Sequence, residues 1–267
     1  MGHIKDKFAE LKTASRKGFI PFVTAGDPTL EDSLAIVLKL AELGADIIEL
    51  GVPFSDPMAD GPTIQLSSQR ALENGVNLSN ILDLVREARK TTDVPIVLFS
   101  YLNPLLNYGL ETLADDASKA GVDGVLITDV IGNEAKEIGK MLQVKNIDLI
   151  SLIAPTTTDE RLESIANASS GFLYAVSRAG VTGARTEMSS DAEKLVNRAR
   201  KFTDMPIAVG FGISTREQIE DVWRYADAAV VGSAIVAEIA KPGDAVDSVD
   251  EFVRGLLPQF AKTVERT

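Results

Sequence analysis

Apolar residues along this chain come in short β-branched runs separated by longer amphipathic stretches. Strands are predicted near Gly18–Thr24, Ala45–Leu50, Pro95–Phe99, Gly124–Ile127, Asp148–Ile153, Phe172–Val176, Pro206–Gly210 and Ala228–Gly232. Each run is apolar almost throughout, as strands covered on both faces must be. Helical periodicity lies between them, at Leu30–Leu43, Leu78–Lys90, Leu110–Ala120, Asn133–Val144, Asp159–Asn167, Asp191–Phe202 and Thr215–Ala226. In the first of these, Leu34, Val37, Leu38 and Ala41 form an i, i+3, i+4, i+7 stripe, with Thr29 before it and Gly44 after it as stop signals. Further helices are predicted at Pro62–Asn74 and Asp247–Val264, and a short one opening at Gly232-Ser233.

Eight strands, each followed by a helix, predict an α/β fold, a single (β/α)8 TIM barrel with extra helices. No linker-like stretch interrupts residues 1–267, so one domain is expected. An open doubly wound sheet would call for a Gly-x-Gly-x-x-Gly turn after the first strand. That position reads Thr24-Ala25-Gly26-Asp27-Pro28.

Composition narrows the chemistry. There is no cysteine, which removes disulfides, thiolate nucleophiles and Cys-bound metals, and the one histidine, His3, is expected in a mobile tail. Acid–base work therefore falls to Asp, Glu, Lys or Tyr. The net charge of −12 argues against a nucleic-acid partner. No apolar run reaches about 18 residues and the first ten residues lack an apolar h-region, so a cytoplasmic protein without a signal peptide is expected. A metal site is not expected, unless its ligands are purely carboxylate.

Barrel chemistry belongs at the C-terminal strand ends. Glu49 interrupts the apolar Asp46-Ile47-Ile48-Glu49-Leu50. With period two, Ile48 and Leu50 would face the helices and Glu49 the barrel mouth, where desolvation raises a carboxyl pKa. A structural ion pair at the rim is the plain alternative. The loop Gly51–Pro62 follows directly and brings Asp56 and Asp60 as candidate partners for Glu49, although Asp60 could instead cap the helix at Pro62 and Asp56 could make an Asx-turn. Glycines at 180, 183, 210, 212 and 232 fall in the loops where barrels bind phosphate, with Ser177–Ser190 a candidate lid. No lysine ends a strand, so Schiff-base chemistry is not expected. The residues by themselves lead to carboxylate acid–base work on a small phosphorylated substrate.

Three motifs carry a family resemblance: Pro21-Phe22-Val23-Thr24-Ala25-Gly26-Asp27-Pro28, then Glu49-Leu50-Gly51-Val52-Pro53-Phe54-Ser55-Asp56-Pro57-Met58-Ala59-Asp60-Gly61-Pro62, then Ser177-Arg178-Ala179-Gly180-Val181-Thr182-Gly183. With Gly210-Phe211-Gly212-Ile213 and Gly232-Ser233-Ala234, the sequence resembles tryptophan synthase α subunits along essentially its whole length. The resemblance implies retro-aldol cleavage of indole-3-glycerol phosphate to indole and glyceraldehyde 3-phosphate. It implies Glu49 as the acid–base group and Asp60 as the carboxylate that meets the indole N–H. Phe22, Tyr101, Ile153, Tyr174 and Phe211 would line the indole site and Thr182 would belong to the lid. Gly183, Gly212, Gly232 and Ser233 would hold the phosphate.

The implied partner is a pyridoxal-phosphate β subunit in an αββα heterotetramer, to which indole passes. The cofactor belongs to that partner, and the resemblance implies none in this chain. Loop Asp56–Asp60 and the Asn103-Pro104 region would face it. One departure stands at Thr128-Asp129-Val130-Ile131-Gly132, where a proline is common after the Asp-Val pair. A stand-alone lyase and a mainly regulatory subunit are the rival readings, and a phosphosugar isomerase a third. The retention of both Glu49 and Asp60 counts against the regulatory one.

Overall fold

The computed structural model describes residues 3–176, 185–210 and 212–258. In chain order the elements are α1 (His3–Thr13), β1 (Gly18–Thr24), α2 (Leu30–Glu42), β2 (Ile48–Gly51), α3 (Pro62–Glu73), α4 (Leu78–Ala88), β3 (Ile96–Ser100), α5 (Leu102–Tyr108), α6 (Leu110–Ala120), β4 (Gly124–Ile127), α7 (Gly132–Val144), β5 (Asp148–Ile153), α8 (Asp159–Ala168), β6 (Leu173–Val176), α9 (Arg185–Ala199), β7 (Ile207–Gly210), α10 (Arg216–Trp223), β8 (Ala228–Val231), α11 (Ser233–Ile239) and α12 (Ala245–Leu256). The eight strands are parallel and close in sequence order, β8 pairing back onto β1. The fold is the expected (β/α)8 barrel.

Two apolar layers follow from strand alternation. Ile20, Ile47, Val97, Leu126, Ile150, Phe172, Ala208 and Val230 fill the barrel. Their neighbours, among them Ile48, Leu50, Leu98, Val125 and Val209, face outward onto the stripes of α2, α4 and α6. Local signals set the helix ends: Thr29 accepts from Asp32 N–H ahead of α2, and reciprocal capping boxes open α4 at Asn77 and α10 at Thr215.

The His3 tail expectation is corrected. His3 starts α1, and its Nδ1 lies 2.7 Å from Asp123 Oδ1. Ile4, Phe8 and Leu11, one apolar stripe, turn into the barrel's N-terminal end, where Phe8 meets the Phe172 ring at 5.8 Å. Helix α5 was also not expected; its Pro104 is tolerated because it sits in the first turn.

At the same N-terminal end a small device recurs. A side chain that precedes each even-numbered strand accepts the backbone N–H near the start of the strand before. Phe19 N–H donates to Asp46 (2.9 Å), Ile96 N–H to Asp123 (2.8 Å), Leu149 N–H to Ser170 (3.1 Å) and Ile207 N–H to Asp227 (2.9 Å). Each bond ties a strand pair at the end away from the loops that carry chemistry. Among the described residues, no helix is long and apolar enough to cross a membrane.

Candidate active site

A cavity of about 380 Å³ opens at the C-terminal ends of the strands. Phe22, Glu49, Phe99, Leu152, Tyr174 and Val230 rise into it from β1, β2, β3, β5, β6 and β8. The period-two expectation for β2 holds: Ile48 and Leu50 join the outer layer, and Glu49 faces inward. Glu49 is 0% exposed, and neither carboxylate oxygen has a hydrogen-bond partner. Burial alone pushes its pKa up to about 8. A carboxyl so placed is neutral at pH 7 and able to give up a proton. An ion pair at the rim is not what this geometry shows.

Asp60 enters the cavity from the loop after β2. Tyr101 donates its phenol hydrogen to Asp60 Oδ2 (3.1 Å) and accepts from Ala59 N–H (2.9 Å), while its ring sits 5.2 Å from that of Phe54. Burial raises the Asp60 pKa, and the Tyr101 hydrogen bond opposes the rise. The same burial and the Asp60 charge push Tyr101 above its usual range, so it stays a donor. Asp60 does not cap α3: the N-cap is Gly61, with no side-chain bond. Asp56 is exposed and lines a separate surface groove with Met58 and Gln69, so of the two candidate partners only Asp60 shares the cavity with Glu49.

Helix α3 closes one side through Pro62, Thr63 and Ile64. It is anchored to the end of β1 by a bidentate Arg70–Asp27 pair at 2.7 Å and by Thr24 Oγ1 against Ser67 Oγ at 2.7 Å. Gln65 Nε2 donates to Asp60 O at 2.9 Å, tying the helix to the loop it follows.

Phe22 and Tyr174 line the cavity, and Phe99 meets their rings edge-on at 5.3 and 6.4 Å. Gly210 makes room for Tyr174, since a Cβ there would fall 2.1 Å from the phenol oxygen. Gly212, Gly232 and Ser233 line the cavity at the β7–β8 side, Gly212 with φ +66°.

Two expectations need correcting. Ile153 is buried in the outer layer; its neighbour Leu152 has the inward phase of β5 and lines the cavity. Tyr101 stands behind Asp60 and is not among the residues that line the cavity. Thr182, Gly183 and Phe211 lie outside the described residues, as does 177–184 of the expected lid; 185–190 belong to α9, which starts before the expected Asp191. Not singled out from sequence were Phe99, Thr128, Leu152, Val176 and Val230, although counting inward positions along each strand, and one step past the end of β4, finds all five. Among the described residues no cluster of three His, Asp or Glu could hold a metal ion.

The sequence pattern described as Tryptophan synthase alpha chain matches residues 8–262. The tryptophan synthase alpha chain of Acidiphilium cryptum is 51% identical over 246 residues, which is 92% of this chain and 89% of that one. The crystal structure of tryptophan synthase subunit alpha from Legionella pneumophila superposes with a TM-score of 0.90 at 32% identity, covering 98% of this chain and 99% of its own. A chain of the tryptophan synthase complex from Pyrococcus furiosus does so with a TM-score of 0.82 at 39% identity, over 90% of this chain and 97% of that one.

Proposed function

Because the chain belongs to the tryptophan synthase alpha chain family, we propose that it cleaves indole-3-glycerol phosphate to indole and glyceraldehyde 3-phosphate. The observation that carries this reading is Glu49: a carboxyl fully buried, unpartnered and neutral at pH 7, in one cavity with Asp60.

Glu49 protonates C3 of the indole, and positive charge appears on the ring nitrogen. Asp60, held by Tyr101, accepts the ring N–H and stabilises that charge. The bond from C3 to the glycerol carbon then breaks, and its electron pair restores the neutral indole ring. The hydroxyl on that carbon loses its proton to Glu49 and becomes the aldehyde. Glu49 ends protonated, ready for another cycle. Tyr174 and Phe22 bound the ring. The phosphate lies at Gly212, Gly232 and Ser233, joined by Gly183, where backbone N–H groups at the start of α11 meet the anion without a lysine or arginine.

The same reading assigns a β subunit that carries pyridoxal phosphate, in an αββα assembly that receives the indole. Met58, Leu106 and Ile131 support this: they follow β2, β3 and β4 on the rim and are 85%, 51% and 61% exposed. Exposed apolar side chains after three successive strands fit a partner docked at this end of the barrel. The sequence departure falls at this rim, where Ile131 caps α7 ahead of Gly132 at φ +67°.

The test is indole release from indole-3-glycerol phosphate by the purified chain, with and without a β subunit. Slow release that rises sharply on adding the β subunit is expected. Fast release from the chain alone would favour the stand-alone lyase, and none in either mixture would overturn the assignment.

A further inference from the structure

Thr128 stands just past the end of β4, where its backbone N–H donates to Ser100 O at 3.0 Å and ties it to β3. Leu126 faces into the barrel, so the alternation sends Thr128 to the same face, and it lines the cavity. Extending the Leu126–Ile150 register by two residues sets it beside Leu152. On the other side the same extension sets it beside Tyr101, just past β3, whose hydroxyl is already taken by Asp60 and Ala59, while Phe99 and Leu152 are the apolar side chains that β3 and β5 present to the cavity.

The Thr128 hydroxyl is buried and has no hydrogen-bond partner within the protein. Buried hydroxyls nearly always have one. Among the described residues, four buried side-chain polar atoms lack a partner: two are the Glu49 oxygens, one is Thr128 Oγ1, and only Arg216 Nε lies elsewhere, beside a groove on the outer face. The cavity therefore holds two unpaired polar groups, and the cleavage proposed above uses one of them.

Position suggests what the other meets. In a closed ring of eight strands, β4 lies opposite β8. A substrate whose phosphate rests at Ser233 and whose ring N–H meets Asp60 extends its six-membered ring toward β4 and β5. We infer that the Thr128 hydroxyl is a specificity-determining contact for that ring edge, placed to hydrogen-bond an oxygen or nitrogen carried on it. The site then takes indoles with a polar substituent on the six-membered ring, not the parent ring alone. A buried polar group favours the ligand that pairs with it over the one that leaves it bare. This inference rests on the function proposed above.

The experiment compares dissociation constants of indole and of the four indoles hydroxylated at C4, C5, C6 or C7. It uses the native chain, the hydroxyl-free Thr128→Val and Thr128→Ala, and Thr128→Ser, which keeps the hydroxyl. For at least one isomer, affinity relative to indole should fall about tenfold in both hydroxyl-free variants, the size of one neutral hydrogen bond, and persist in Thr128→Ser. Unchanged ratios for all four isomers would overturn the inference. So would equal losses for indole and the hydroxyindoles, or a Thr128→Ser that behaves like Thr128→Val. If the native chain still releases indole from indole-3-glycerol phosphate while the ratios stay fixed, only this inference falls. If it neither binds indole nor releases it, the proposed function falls as well.

Discussion

The phenol of Tyr101 holds Asp60 by one edge while taking the neighbouring Ala59 N–H, so a single hydroxyl fixes both the carboxylate and the loop that carries it. Tyr101→Phe removes this hold without changing the ring. A hydrogen bond to a charged group contributes about 1.5–3 kcal/mol, so kcat/KM for the cleavage should fall roughly 10- to 100-fold. The bond also keeps the Asp60 pKa from rising further, so its loss should move the acid limb of the kcat/KM profile to higher pH. A pH series on both proteins checks the two effects separately.

Glu49→Gln keeps shape and burial but has no proton to give. Turnover should drop by about 10²–10⁴, the usual contribution of a general acid–base group. In the native chain, activity should decline as pH rises through about 8, where Glu49 ionises.

The same carboxyl makes stability depend on pH. Its folded pKa of about 8 lies above the ordinary 4.5, so between these values the folded chain keeps a proton that the unfolded chain has lost. Stability therefore falls as pH rises across that window and levels off above it. Glu49→Gln lacks this term. Relative to the native chain it should gain stability from pH 5 to pH 8, up to a few kcal/mol at about 1.4 kcal/mol per unit of pKa difference. Urea unfolding at the two pH values measures the difference.

Asp46→Ala leaves the Phe19 N–H unpaired at the end of the barrel away from the cavity. An unsatisfied buried donor costs about 1–3 kcal/mol, so the urea midpoint should fall while KM stays unchanged. A change in KM would show that the two ends of the barrel are coupled.

Gly212→Ala places a side chain at φ +66°, a conformation that costs non-glycine residues about 1 kcal/mol or more. No atom lies within 4 Å of the added Cβ, so the strain is in the backbone and should shift the N–H groups proposed for the phosphate. Substrate KM and inorganic phosphate inhibition should both weaken several-fold with kcat little altered.

The barrel was legible because its strands are buried on both faces and its helices carry clean stripes. Glu49 was legible for the same reason: one charge in an apolar strand has few places to go. What escaped depended on phase or on distant partners. Ile153 and Leu152 are equally apolar, and only the register of β5 decides which faces the cavity. The stripe of Ile4, Phe8 and Leu11 was present in the sequence, but a first helix near a chain end gives no local sign that a barrel end awaits it. Tyr101 belongs to Asp60 through a contact 41 residues long, which no local pattern encodes.

Helix α1 fills the N-terminal end of the barrel with Ile4, Phe8 and Leu11. That makes the interior a vessel with a floor. On the function proposed above, a small apolar product formed beside Glu49 has this apolar plug beneath it and leaves by the mouth through which its parent arrived. Whatever protein sits across that mouth is therefore gatekeeper for both directions of traffic, and a molecule released under such a cover can only go onward into the cover itself.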